Sequence, residues 1–138
     1  MTARGQRTQD CGRREARKRL SDARHQLVTG QREAANTLDA AARTTAGGLF
    51  VKSAIAAADA ACCEALGRRS RSDNHRDAAK LLAQITPNGK EAATAFGRLI
   101  AHKDHVDYGL TAVSTADLKR LQRNAEKLLE FAESVVLP

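Results

Sequence analysis

Apolar residues recur every three or four positions over most of the chain, which is the period of an amphipathic α-helix. The most regular stripe consists of Leu118, Leu121, Ala125, Leu128, Ala132 and Val135. Two further long stripes cover residues 16–41 and 50–66, and no segment shows the alternation that predicts a strand. The sequence therefore predicts an all-α antiparallel bundle of four main helices plus one short helix.

Glycines and breaks in the apolar pattern predict where these helices begin and end. Gly47-Gly48 interrupts the pattern between the first two helices. Gly67 is placed to end the second helix in the left-handed conformation. The short helix is expected over residues 75–85, and one longer helix then runs to about Asp107.

The positive charge of the chain is concentrated near its N-terminus. Of a net charge of +7, residues 1–25 contribute eight Arg and Lys against three acidic residues. Such a segment can attract nucleic acid without sequence specificity, although solvation alone also explains a run of charge. Residues 1–12 show no apolar period, so we expect a disordered basic arm there and the helical bundle over residues 13–138.

The three cysteines, Cys11 and the adjacent pair Cys62-Cys63, do not suggest a disulfide framework. Their number is odd, and neighbouring residues of a helix point in different directions. They lack the spacing of a zinc site, and no metal motif or nucleotide-binding glycine loop is present, so no metal and no cofactor are expected. Reduced thiols, together with the absence of a signal peptide and of a membrane-spanning stretch, predict a cytoplasmic protein with no membrane partner.

The segment RLIAHKDHVDYG, residues 98–109, carries the strongest chemical signal. On one continuous helix, His102 lies about 40° and His105 about 20° from Arg98 around the axis. One face then holds a guanidinium and two imidazoles, the groups that a phosphate-binding or RNA-cleaving site needs. The apolar side of this helix, which includes Phe96, must face the bundle, so the Arg/His face is expected to point outward.

Three segments carry a resemblance to a known family: AIAAADAACCEALGRRS, NHRDAAKLL, and RLIAHKDHVDYG followed by STADLKRLQRNAEKLLEFA. Their order and spacing over residues 14–136 resemble the HEPN domain family, whose members are small bundles of four or five helices. The segments look like the family's central alanine-rich helix, its short third helix and its closing helix after an Asp-Tyr ending. The resemblance places Lys103, Asp107 and Tyr108 at signature positions.

The family resemblance implies two possible activities. Many members are metal-independent endoribonucleases marked by an arginine, four to six residues and a histidine, and two subunits bring their motifs together in a dimer cleft. Arg98 and His105 match this spacing, with Leu99 where a polar residue is usual; His105 would transfer a proton and Arg98 would stabilise charge. A branch with an Asp-Tyr ending, to which this chain is more similar, lacks a dependable catalytic motif and binds nucleotides or partners.

The leading interpretation is a HEPN-like helical module that binds RNA, a nucleotide or a protein partner as a homodimer, in a bacterial toxin–antitoxin, defence or stress system. The candidate binding residues are His102, Lys103, Asp107, Tyr108, Arg68, Arg69 and Arg71. The resemblance implies an antitoxin or a nucleotidyltransferase as the protein partner. Two alternatives remain open: a metal-independent endoribonuclease of toxin type that uses Arg98 and His105, and a purely structural helical adaptor.

Overall fold

The computed structural model describes residues 7–71 and 75–137. The elements in chain order are β1 (Thr8–Asp10), α1 (Arg13–Ala34), α2 (Ala40–Leu66), β2 (Arg68–Ser70), α3 (His75–Ala83), α4 (Gly89–Ile100), α5 (Lys103–Tyr108) and α6 (Thr115–Val136). The helices pack in an antiparallel bundle, which confirms the predicted all-α fold class. A two-stranded sheet of three residues per strand, which the sequence did not predict, is added at one end.

Helix α2 lies at the centre of the bundle and contacts all the other helices. It is rich in alanine, whose short side chain allows neighbouring helices to approach closely. On α1, Gly30 lies against the ring of Phe50, and the carbonyl of Ala23 accepts a hydrogen bond from Ser53 Oγ at 2.8 Å. The order of these contacts shows that α1 and α2 are antiparallel.

The break between the first two helices lies at residues 35–39, so the prediction of a break at Gly47-Gly48 is wrong. Asp39 caps α2, because its carboxylate accepts hydrogen bonds of 2.9 and 3.2 Å from two backbone amides of the first turn. The helix continues through both glycines, which lie beneath Val106. A Cβ on Gly47 would lie 3.4 Å from a methyl carbon of Val106, which is ordinary van der Waals contact, so this packing does not itself require glycine.

The helix expected to run to about Asp107 is divided in two. Helix α4 ends at Ile100, and α5 begins only at Lys103. Between them, the amide of His102 donates to the carbonyl of Leu99 at 3.1 Å, a tighter turn than that of an α-helix. The angles around the helix axis that were predicted for His102 and His105 relative to Arg98 therefore do not apply, because both histidines lie beyond the end of α4.

Residues 8–12, which the sequence assigned to a disordered arm, form part of the fold. Strand β1 pairs antiparallel with β2, so that Gln9 lies opposite Arg69. The amide of Cys11 then donates to the carbonyl of Gly67 at 3.0 Å. Gly67 ends α2 with a φ of 72°, which confirms its predicted left-handed conformation and directs the chain into β2.

The pairing of β1 with β2 also brings two of the cysteines close together. Cys11 and Cys63 form a disulfide across 52 residues of sequence, so the expectation of reduced cysteines is wrong for this pair. The adjacent residues Cys62 and Cys63 gave no sign of this bond, because the partner of Cys63 is distant in sequence and directly follows strand β1. Cys62 remains a free buried thiol, and burial raises its pKa to about 12, so it acts as a small apolar side chain.

Candidate functional site

Helices α4 and α6 enclose an open cleft near the C-terminal end of α4, with a volume of about 420 Å³. Its lining residues are Arg98, Ala101 and His102 on one side and Arg120, Leu121, Arg123, Asn124 and Lys127 on the other. We call this cavity the α4–α6 cleft. The first residues of α4 lie beside a later part of α6, so the two helices are antiparallel.

The wall of the α4–α6 cleft that α6 provides follows the helical period. The polar residues that α6 contributes are Arg120, Arg123, Asn124 and Lys127. Their spacing of i, i+3, i+4 and i+7 places them on one face, over about 10 Å of helix. On the opposite wall, Arg98 and His102 are four residues apart. The buried side chain of Leu121 adds an apolar part to the lining.

The α4–α6 cleft is strongly basic, and no carboxylate lines it. Within the described part of the chain, Arg98, Arg123 and Lys127 form no ion pair. Arg120 is paired with Asp117 at 2.8 Å, yet its side chain remains 64% exposed. Clustered cations without neighbouring carboxylates give a concave site a positive electrostatic potential, and this potential attracts anions.

Three other cavities among the described residues differ in this respect, since each includes a carboxylate. One contains Asp59, a second contains Glu91 and Glu130, and a third contains Asp10 and Glu15. A bound anion would be repelled by these groups. The α4–α6 cleft therefore has the most favourable electrostatics of the four for an anionic ligand.

Asn124 is the buried polar side chain of the α4–α6 cleft. The residue is 9% exposed and lines the cavity. Its carboxamide makes no hydrogen bond to the described part of the chain. The amide oxygen can accept and the amide nitrogen can donate hydrogen bonds, so this carboxamide has unused hydrogen-bonding capacity in the lining of the cleft.

The structure places the two residues of the sequence-derived catalytic pair in different surroundings. Arg98 lines the α4–α6 cleft together with His102, whereas His105 is not among the lining residues. His105 is partly buried and lies against Gly109, where a Cβ would come within 2.8 Å of its Nδ1. The turn after Ile100 separates them, so catalysis by Arg98 with His105 stays a prediction of the sequence.

Three other candidate binding residues lie on α5. Lys103 and Asp107 form an ion pair of 2.9 Å across one helical turn, and this hydrogen bond raises the pKa of Lys103. Tyr108 ends the helix with its side chain 76% exposed. The two charges therefore bind each other, and none of the three residues lines the α4–α6 cleft.

The candidate arginines after α2 lie at the sheet. Arg69 and Arg71 line a separate cavity of about 390 Å³, and Arg68 precedes them on β2. The guanidinium of Arg69 donates to Gln9 Oε1 at 3.0 Å and pairs with Asp59 at 3.4 Å. Part of the positive charge here is therefore compensated inside the fold.

Asp59 is a buried carboxylate on α2, 7% exposed. Arg19 of α1 holds it with Nε at 3.1 Å and Nη2 at 3.0 Å, and Arg69 approaches from β2. Burial raises the pKa of Asp59, and the positive charges of Arg19 and Arg69 oppose that shift. This network connects α1, α2 and the sheet, which is a structural role.

The wall of the cleft that α6 provides was not predicted from the sequence. The apolar stripe of this helix predicted its buried side correctly. The exception is the last position, where Val136 rather than Val135 is buried. The signal that could have revealed the wall was the spacing of Arg120, Arg123 and Lys127 beside that stripe. Periodicity alone cannot show that this face lies opposite Arg98.

Comparison with known proteins does not assign the chain to a family. No family model matches the sequence, and no curated protein matches it. No helix within the described residues is both long enough and apolar enough to cross a membrane. The same residues contain no group of three or more His, Cys, Asp or Glu side chains that could hold a metal ion.

Proposed function

We propose that this protein is a helical RNA-binding module whose α4–α6 cleft binds the phosphates of single-stranded RNA. The observation that carries the proposal is the composition of the cleft: Arg98, Arg120, Arg123, Lys127 and His102 line it without a carboxylate. Guanidinium and ammonium groups form charge-assisted hydrogen bonds with phosphate oxygens. The net charge of +7 favours the same class of ligand by long-range attraction.

The shape of the site favours a flexible strand over a duplex. The polar face of α6 spans about 10 Å, and the cleft is concave, so a single backbone can enter it and place phosphates beside successive cations. A duplex is recognised mainly by contacts spread across its grooves. The cleft therefore fits an RNA strand end or loop.

The proposal is binding without cleavage. Cleavage without a metal ion needs a base for the 2′-hydroxyl proton, an acid that protonates the leaving 5′-oxygen, and stabilisation of charge at phosphorus. Arg98 and His102 both line the cleft, but the second imidazole of the sequence motif, that of His105, is not part of the lining. Self-association, an antitoxin or nucleotidyltransferase partner, and the resemblance to the HEPN family remain predictions.

A titration of fluorescently labelled single-stranded RNA in the presence of EDTA tests the proposal, with anisotropy read at several salt concentrations. We expect a dissociation constant of about 1–100 µM at moderate salt. With three or four phosphates engaged, the logarithm of affinity should fall with the logarithm of salt at a slope of about −2 to −3. Gel electrophoresis of the same samples should show intact RNA.

Competition identifies the ligand class. ATP and inorganic phosphate should displace the labelled RNA only at much higher concentrations, because each offers fewer phosphate contacts. ATP that competes as well as RNA would assign the cleft to free nucleotides and contradict the RNA proposal. Cleavage in EDTA that is abolished by His105→Ala would instead support the endoribonuclease alternative.

A further inference from the structure

Asn124 differs from the other polar residues of the α4–α6 cleft because it is neutral, buried and without a hydrogen bond to the described residues. Its carboxamide is in contact with the open space of the cleft, so a ligand that forms hydrogen bonds with it gains affinity. Its neighbours Arg123 and Lys127 on α6 are exposed cations. The cleft thus combines charged groups at its rim with one neutral hydrogen-bonding group at greater depth.

The chemistry of a carboxamide does not match a phosphate group. Phosphate oxygens accept hydrogen bonds, so the amide nitrogen of Asn124 could donate to one, but the amide oxygen would have no donor to meet. The edge of a nucleobase presents a donor and an acceptor side by side. An asparagine can therefore form two hydrogen bonds with one base, as it does with N6 and N7 of adenine.

The cleft also has space and apolar surface for a base. Its volume of about 420 Å³ lies within the range of small-molecule pockets, about 300–1,000 Å³. Leu121 and Ala101 contribute apolar atoms to the lining, and the guanidinium planes of Arg98 and Arg123 can stack on a base. Among the described residues, His102 supplies the one aromatic ring of the lining and Phe, Tyr and Trp are absent from it, so hydrogen bonding must supply much of the base recognition.

We propose that Asn124 binds the edge of one base of the RNA, which makes the α4–α6 cleft base-selective. This inference rests on the proposed function. The cations hold the phosphates and supply affinity, and Asn124 supplies the preference among bases. Adenine is the expected base, because its pairing with asparagine through two hydrogen bonds is well matched.

The experiment uses polyuridine oligonucleotides with one central position that is uridine, adenosine, cytidine, guanosine or an abasic ribose. We expect the wild-type protein to bind the best base, adenine, about 5- to 100-fold more tightly than the abasic strand. Asn124→Ala should reduce this ratio to about one while it keeps the affinity for the abasic strand. Asn36→Ala, at an exposed asparagine between α1 and α2, is the matched control and should leave the ratio unchanged.

A second arm uses the wild-type protein alone, so that it does not depend on the folding of a variant. Adenosine is replaced by the purine nucleoside that lacks the 6-amino group, which removes the donor that faces the amide oxygen. We expect most of the preference to be lost. Equal affinity of the wild type for all five strands, with binding of RNA retained, would overturn the inference and leave the proposed function intact. Absence of RNA binding would overturn both.

Discussion

Cys11 and Cys63 are joined by a disulfide that connects the residue after strand β1 to the last turn of helix α2. The bond closes a loop of 52 residues that contains all of α1 and most of α2. An isolated pair of three-residue strands is marginal in water, so the covalent bond adds to the backbone hydrogen bonds that hold β1 in place.

The first prediction concerns this bond. Cys11→Ser should lower the free energy of unfolding by up to about 4 kcal/mol, the loop-closure entropy of the unfolded chain for this loop length. Urea denaturation followed by circular dichroism measures the change. Wild-type protein in a reductant should show the same loss, and the stability of Cys11→Ser should not respond to the reductant. A wild type that is indifferent to reduction would contradict this role.

The second prediction compares two glycines. At Gly30, a Cβ would lie 2.8 Å from Phe50 Cε1, and that ring is completely buried. Gly30→Ala should therefore destabilise the protein by about 1–3 kcal/mol through overpacking. Gly97→Ala, at an exposed position of α4 where a Cβ would have nothing within 4 Å, should instead stabilise it by up to about 1 kcal/mol, because alanine favours helix. Thermal unfolding measures both variants. Equal changes in the unfolding midpoint for Gly30→Ala and Gly97→Ala would show that α1 and α2 do not pack this closely.

The third prediction concerns pH. The pKa of Asp59 is raised in the folded state, so the folded protein holds this proton more strongly than the unfolded chain. Its contribution to stability is complete below the unfolded pKa and is lost as the pH rises through the folded value. The stability of Asp59→Asn relative to wild type should therefore increase with pH over the acidic range. Asp22, whose pKa is lowered by its hydrogen bond to Lys18, should contribute with the opposite sign, and Asp22→Asn serves as the comparison.

Local sequence patterns predicted the helices well where one local feature, such as an apolar stripe or a terminal glycine, determined the structure. The stripe on α6 lies against the core, and Gly67 ends α2 as expected. The same rules failed at Gly47-Gly48, because this glycine pair lies inside α2, where packing against Val106 and the other helices outweighs the low helix propensity of glycine. The capping residue Asp39 was the better signal for the true helix start.

The site was harder to predict because it depends on which helices become neighbours. Arg98 was identified as a functional candidate from its own segment, but Arg123 and Asn124 join it only through the packing of α4 on α6. Because α4 ends before Lys103, the histidine that lines the cleft with Arg98 is His102 and not His105. The disulfide of Cys11 likewise follows from a strand pairing that no periodicity signals.

The central claim is that RNA binds in the α4–α6 cleft, and two double variants of equal charge test it. Arg123→Gln with Lys127→Gln removes two cations from the cleft. Arg32→Gln with Lys90→Gln removes an exposed arginine and an exposed lysine that lie outside its lining and form no ion pair with the described residues. Both doubles lower the net charge of +7 by the same amount.

The affinity of these doubles for single-stranded RNA, measured over a series of salt concentrations, is the most direct measurement. The cleft double should bind about tenfold or more weakly than wild type, and its salt slope should become less steep by about 1.4. The control double should stay within about twofold of wild type. Equal losses in the two doubles would show that RNA is attracted by the overall charge alone, and would contradict a binding site between α4 and α6.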